Sequence, residues 1–204
     1  MTDSRMADHW WWRPGWRPGR RMYTWHFTFG TQPAVQALAA GYQDRLRGLP
    51  GLDIVPERWL HLTTQGVGFQ DEVSDQDATA IVQAAADQLR ALPPQQVTLG
   101  PAKVTPEAIL LDVTPVTGLT AIRTGLRAAT AKVWDASRVM ESDQWTPHVS
   151  VAYSNGTGLA APYVDSVAGG GTAEATIGEV QLIVLNRDEH MYEWTTYAAV
   201  QLKG

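Results

Sequence analysis

Two short segments, one in each half of the chain, repeat a single pattern of imidazole, apolar side chain and hydroxyl: His61-Leu62-Thr63 and His148-Val149-Ser150. Each sits in a run that reads as a strand, 59–67 (WLHLTTQGV) and 148–153 (HVSVAY). Residues i and i+2 of a strand share a face, so each triplet sets an imidazole beside a hydroxyl and turns the apolar residue toward a core. Around these runs the apolar spacing alternates between strand and helix periods. Residues 23–30 read as a strand and 33–49 as a helix closed by Gly48 and Pro50. Ser74 or Asp75 caps a helix over 76–91, which Pro93-Pro94 ends. A hairpin follows at 97–104 and 108–113. A helix then begins at Thr117, with Leu119, Ile122, Leu126, Ala129 and Val133 on one face. Beyond the second triplet come a short helix (159–167), a triple-glycine loop and apolar strands at 176–185 and 192–202. Strand–helix–strand thus occurs twice, with a histidine strand in each half, which predicts two similar lobes. Neither a Gly-x-Gly-x-x-Gly nor a Walker sequence is present to support a common dinucleotide or ATP site.

The 204 residues are enough to bury about 70% of the unfolded surface. With 44% apolar and 18% charged residues the composition is that of an ordinary globular protein. There is no cysteine, which excludes disulfides, thiolate metal ligands and a cysteine nucleophile. No apolar run approaches the roughly 20 residues that span a bilayer, and the first residues lack the features of a signal peptide, so the expected location is the cytoplasm, as a monomer away from membranes. The net charge of −5 is unevenly spread. Residues 1–21 carry five Arg against Asp3 and Asp8, and the remainder carries eleven basic against nineteen acidic residues. An acidic body argues against a long duplex nucleic-acid partner and leaves a small anion or a short RNA end. Residues 1–22 form a Trp/Arg-rich arm preceding one domain over 23–204. Two Trp-Arg-Pro-Gly units at 12–15 and 16–19 read as consecutive turns. Four of the nine tryptophans fall in this arm, so it is expected to pack on the domain. It would do so either as an apolar strap over a sheet edge or as a lid whose Arg and Trp meet phosphate and base.

Two imidazoles and two hydroxyls converging on one cleft suit phosphodiester chemistry. A neutral histidine removes a proton from water or an attacking hydroxyl, and a protonated one gives a proton to the leaving ribose oxygen; both forms exist near neutrality. Thr63 and Ser150 would donate to the non-bridging phosphate oxygens. Composition alone gives on the order of 0.7 chance His-x-Ser/Thr matches for five histidines. The chain has three, because His26-Phe27-Thr28 also fits.

W-L-H-L-T (59–63) and P-H-V-S-V-A-Y (147–153), 87 residues apart from histidine to histidine (148 − 61), resemble the paired motifs of the two-histidine phosphoesterase superfamily. That superfamily includes the 2′-5′ RNA ligase-like proteins and RNA 2′,3′-cyclic phosphodiesterases. The resemblance implies an α+β, bilobal fold: two pseudo-symmetric lobes, each an antiparallel sheet with flanking helices, around a central cleft. It also implies metal-free hydrolysis of 2′,3′-cyclic phosphates to 2′-phosphates without a cofactor, and in some members reversible 2′-5′ ligation. The catalytic histidines map to His61 and His148 and the phosphate-binding hydroxyls to Thr63 and Ser150. The continuation Thr64-Gln65-Gly66-Val67-Gly68 departs from the more apolar one of many relatives. Candidate substrate contacts are His26, whose face of the first strand it shares with Thr28, Arg58 just before the first motif, and Trp145 and Tyr192 at the cleft rim. Strict alternation places Tyr153 in the core, and His190 falls in an exposed turn. The expected substrate is a small nucleotide or an RNA end bearing a 2′,3′-cyclic phosphate. A 2′-5′ ligase and a non-catalytic nucleotide or RNA-end binder are the competing readings.

Overall fold

A computed structural model describes residues 4–140 and 145–204; the first three residues of the arm lie outside the described residues. In chain order the elements are β1 (Arg5–Met6), β2 (Met22–Thr28), α1 (Pro33–Leu46), β3 (Leu52–Ile54), β4 (His61–Phe69), α2 (Asp75–Leu89), β5 (Gln95–Val104), β6 (Ala108–Thr114), α3 (Thr117–Val133), β7 (His148–Ser154), β8 (Gly158–Leu159), α4 (Ala161–Val167), β9 (Ala173–Ile177), β10 (Glu179–Asn186) and β11 (Glu193–Gln201). Local chemistry accounts for the helix ends. Pro33 opens α1, where its missing N–H costs nothing, and the Ser74 hydroxyl accepts from the Asp77 amide to cap α2.

Two antiparallel sheets form the body, ordered β11-β10-β2-β4 and β3-β7-β6-β5-β9. Helices α2 and α3 pack beside the four-stranded sheet, and α1 and α4 beside the five-stranded one. The lobes expected from the doubled strand–helix–strand pattern are therefore present, but they are not contiguous halves of the chain. Helix α1 and strand β3 cross into the second lobe, and β10 and β11 return to complete the first. The expected single strand at 176–185 is two strands in different sheets. β9 pairs with β5, Gly178 interrupts the apolar run, and β10 pairs with β2 and β11. Strand β3, three residues at the sheet edge, is too short to carry a detectable period.

The motif strands are each bulged one residue past the hydroxyl. In the β2–β4 ladder His26 faces Thr63 and Trp25 faces Gln65, so Thr64 is the extra residue. In the β6–β7 ladder Leu110 faces Ser150 and Ile109 faces Ala152, leaving Val151 extra. A bulge of this kind bends the strand and re-aims the side chains beyond it.

The arm is built as its sequence indicates. Arg13–Trp16 and Arg17–Arg20 are consecutive turns closed by amide-to-carbonyl bonds of 3.0 and 3.1 Å. Gly15 and Gly19 have φ of 82° and 78°, the third-position geometry of a type II turn with proline before it. Strand β1 pairs with β8, and the Ala7 and His9 amides donate to the Pro106 and Ser154 carbonyls of the second lobe. From there the arm reaches the first lobe. Arg187 donates to the His9 and Trp11 carbonyls, Arg21 pairs with Asp188 at 2.7 Å, and Arg20 engages Asp71 and Glu72. Met6 and Trp10 are buried, while Trp11 and Trp12 stay exposed.

Candidate active site

His61 and His148 are the first residues of β4 and β7, and both border one cavity of about 550 Å³ between the lobes. Each ring is held alike. His61 Nδ1 lies 2.7 Å from the Trp59 carbonyl oxygen, and His148 Nδ1 lies 2.8 Å from that of Thr146. A carbonyl can only accept, so Nδ1 carries the proton in both rings and Nε2 is the atom left for chemistry. Thr63 and Ser150, two residues on, border the same cavity, as the period of two requires.

The surroundings of the two rings differ. His61 is 7% exposed, stacked on His26 (centroids 4.4 Å apart, planes within 5°) and edge-on to Trp194 at 5.2 Å. Burial lowers the His61 imidazolium to about 4; the Trp59 carbonyl acts in the opposite sense, and positive charge on His148 adds to the depression. His61 is therefore neutral near pH 7. His148 is solvent-exposed.

Of the candidate contacts, Trp145 and Tyr192 border the cavity. Trp145 donates from Nε1 to the Thr63 carbonyl at 2.9 Å and lies under the Arg123 guanidinium. The other two are corrected. Arg58 is exposed outside the cavity, its guanidinium over the Trp59 ring, because the short 3-10 turn at Glu57–Trp59 carries it away from the first motif. His26 is fully buried and cannot touch a substrate. It sits behind the first motif, with Nε2 3.1 Å from Thr63 Oγ1. Tyr153 is buried in the core, as expected, and because the bulge at Val151 shifts the alternation its ring also borders the cavity. His190 is exposed in its turn, with φ of 50°.

Residues of the arm complete the cavity wall: Arg13 and Trp16 are of the types the lid alternative calls for, whereas His9 is not assigned by the sequence. His9 stacks on Tyr153 with centroids 4.4 Å apart, and its Nε2 is hydrogen-bonded to the Tyr192 hydroxyl at 2.9 Å. Burial lowers the His9 imidazolium to about 4, with Arg13 adding to the depression and Glu107 opposing it. Arg13 pairs with Glu107 at 2.6 Å, and Trp16 and Arg13 border the cavity. The turn glycines announced a folded arm, but nothing local indicates where it lands. Gly66 has a packing reason: a Cβ there would lie 2.8 Å from Met140 Sδ. Among the described residues, no three His, Asp or Glu side chains are grouped to hold a metal ion.

Two antiparallel sheets that present an H-x-T strand and an H-x-S strand to one cavity define a protein of the two-histidine phosphoesterase class. The chain matches the model of the 2′-5′ RNA ligase superfamily over residues 31–189 and belongs to that family. Among solved structures, TT0787 of Thermus thermophilus is similar with a TM-score of 0.69 at 19% identity, covering 91% of this chain and 98% of that one. Ligand-free LigT of E. coli is similar with a TM-score of 0.67 at 14% identity, covering 91% and 99%. LigT has also been solved with NADP+, 3′-AMP, phosphate and ATP. At these identities the likeness is one of fold. No protein with a curated description matches the chain in sequence.

Proposed function

We propose that the chain is a metal-independent phosphodiesterase that hydrolyses a 2′,3′-cyclic phosphate, on a small nucleotide or an RNA end, to a 2′-phosphate. The observation that carries the reading is the matched anchoring of His61 and His148: each Nδ1 is tied to a carbonyl two residues upstream, and both rings border one cavity. His61, neutral and desolvated, takes a proton from water on Nε2 as the water oxygen bonds to phosphorus. His148, open to solvent, delivers a proton from Nε2 to the ribose 3′ oxygen as the P–O3′ bond breaks. Thr63 and Ser150 donate to the non-bridging oxygens as charge accumulates on them. An anionic phosphate beside the ring raises the proton affinity of His61, which offsets its low basicity in the free protein. General acid–base assistance of this kind contributes typically 10²–10⁴-fold per group.

Nucleotide complexes of LigT support the reading, since adenosine nucleotides occupy a protein of this fold. The acidic body disfavours a long RNA partner, which ranks 2′-5′ ligation second. In that reaction a 5′-hydroxyl replaces water and the acid–base roles are unchanged. A pure binder has no use for two anchored acid–base groups.

The test is a panel of nucleoside 2′,3′-cyclic phosphates followed by phosphorus NMR. Turnover to the 2′-phosphate is expected. It should be abolished in His61→Ala and in His148→Ala and be indifferent to EDTA. Full activity in either variant, or loss on chelation, would refute the mechanism.

A further inference from the structure

The third His-x-hydroxyl triplet, His26-Phe27-Thr28, has no part in the mechanism above and lies outside the residues matched by the family. In the fold it is the antiparallel mate of the first motif: Thr28 pairs with His61, Phe27 with Leu62 and His26 with Thr63. Two like triplets run antiparallel in this register, so each histidine faces a threonine. His26 consequently touches both functional members of the first motif. Its ring lies flat against His61, and its Nε2 is 3.1 Å from Thr63 Oγ1.

We infer that His26 is a positioning residue: it donates its Nε2 proton to Thr63 Oγ1, which leaves the threonine hydroxyl proton free to point at the substrate phosphate, and it braces the face of the His61 ring. This rests on the reading of the cavity as a phosphodiester site. The direction of the bond follows from the other side of the ring. His26 Nδ1 is buried without a hydrogen-bond partner. A neutral imidazole has one N–H and one lone pair. If Nδ1 held the proton, a buried N–H would be orphaned, and the Thr63 hydroxyl would spend its single proton on Nε2. With the proton on Nε2, the unmet atom is only a lone pair, which buried sites tolerate better than an unmet N–H. The ring stays neutral because burial, followed by the charge of His61, lowers its proton affinity well below that of a free histidine.

Phenylalanine at position 26 keeps a flat ring against His61, removes the orphaned Nδ1 and leaves Thr63 Oγ1 open to solvent, so little stability is at stake. His26→Phe is expected to lower kcat about 10- to 100-fold, within the range for losing or misaiming one oxyanion donor, with KM changed less than about 3-fold. His26→Gln places an amide donor near the same point and should restore most of the loss. In a Thr63→Val background, His26→Phe should cost no more than about 3-fold further, because its effect passes through the hydroxyl. Independent losses in the double variant, or equal falls in Phe and Gln variants, would overturn the positioning role. Nitrogen-15 NMR of wild-type protein supplies a measurement free of activity. The His26 ring should show Nε2 protonated and Nδ1 bare at neutral pH, and a proton on Nδ1 would overturn the assignment. Wild-type protein inert toward every cyclic phosphate while the NMR tautomer holds would instead fault the phosphodiesterase reading.

Discussion

Acidification from pH 7 to pH 5 should destabilise this protein through its buried histidines. An unfolded histidine titrates near 6.5, whereas His61 and His9 titrate near 4 in the folded chain. Between those values the unfolded state binds more protons, so stability rises with pH in this window. It is complete above about 6.5 and is lost as the pH falls toward 4. For one such group the difference between pH 7 and pH 5 is roughly 2 kcal/mol, hence roughly 4 kcal/mol for the two, and His26 acts in the same direction. For a domain of this size each kcal/mol moves Tm by about 2–4 °C, which gives a fall of roughly 8–16 °C. Ordinary carboxylates remain ionised across this window, so the slope reports the imidazoles. Differential scanning calorimetry at pH 5, 6 and 7 measures it, and His61→Gln should remove a large share of the slope. A Tm that moves less than about 2 °C, or an NMR titration placing His61 near 6.5, would refute the claim that these rings are held neutral by burial. The same depression predicts that kcat/KM, measured where the protein stays folded, has its acid limb near pH 4.

Other outcomes follow from the same geometry. Ser150→Ala and Thr63→Val should each lower kcat about 10²–10³-fold with modest change in KM; substrate titrations that show only a raised KM would assign these hydroxyls to ground-state binding. Trp10→Ala removes a buried ring whose Nε1 donates to Asp53 at 2.7 Å and should cost about 3–5 kcal/mol, seen as a large fall in Tm; an unchanged melt would mean the arm detaches without unfolding the body. Arg13→Gln should raise KM about 3- to 10-fold with little change in melting, because Arg13 is part-exposed at the cavity wall; unchanged KM would leave the arm a strap alone.

How far the site is legible depends on whether the information is local. The period of two in HLT and HVS suffices to pair each imidazole with its hydroxyl, and apolar spacing suffices for the helices. The type II turns of the arm are equally local, because proline and glycine set the backbone angles within four residues. That the buried Tyr153 also borders the cavity is not legible, because its facing depends on a bulge in the β6–β7 register, which the partner strand determines. Arg58 misleads because adjacency in sequence to a motif does not survive a 3-10 turn. His9 escapes for the strongest reason: it reaches the cavity only after the arm has crossed from Pro106 and Ser154 to Arg187, contacts spread over most of the chain. The break at Gly178 is visible in the sequence, but the transfer of β9 and β10 to different sheets is not, since both read as apolar strand.

Two triplets nearly identical in sequence reach the cavity with the same tautomer and unequal surroundings, and the inequality is what gives the proposed reaction a direction. His61 is enclosed by His26 on one face and Trp194 at its edge, so its neutral ring is the stable one, which suits it to the role of base in the proposed reaction. His148 lies open to solvent, which can return its proton after each turnover. The source of the difference is the strand beside each motif. β4 lies next to β2, which contributes the buried imidazole of His26 opposite Thr63, whereas β7 lies next to β6, which contributes Leu110 opposite Ser150. Across the strand, Thr63 therefore faces an imidazole nitrogen and Ser150 an aliphatic side chain. The pseudo-symmetry of the two motif strands is broken where His26 stands opposite Thr63 and Leu110 opposite Ser150, and in the proposed reaction that inequality would set which ring serves as base.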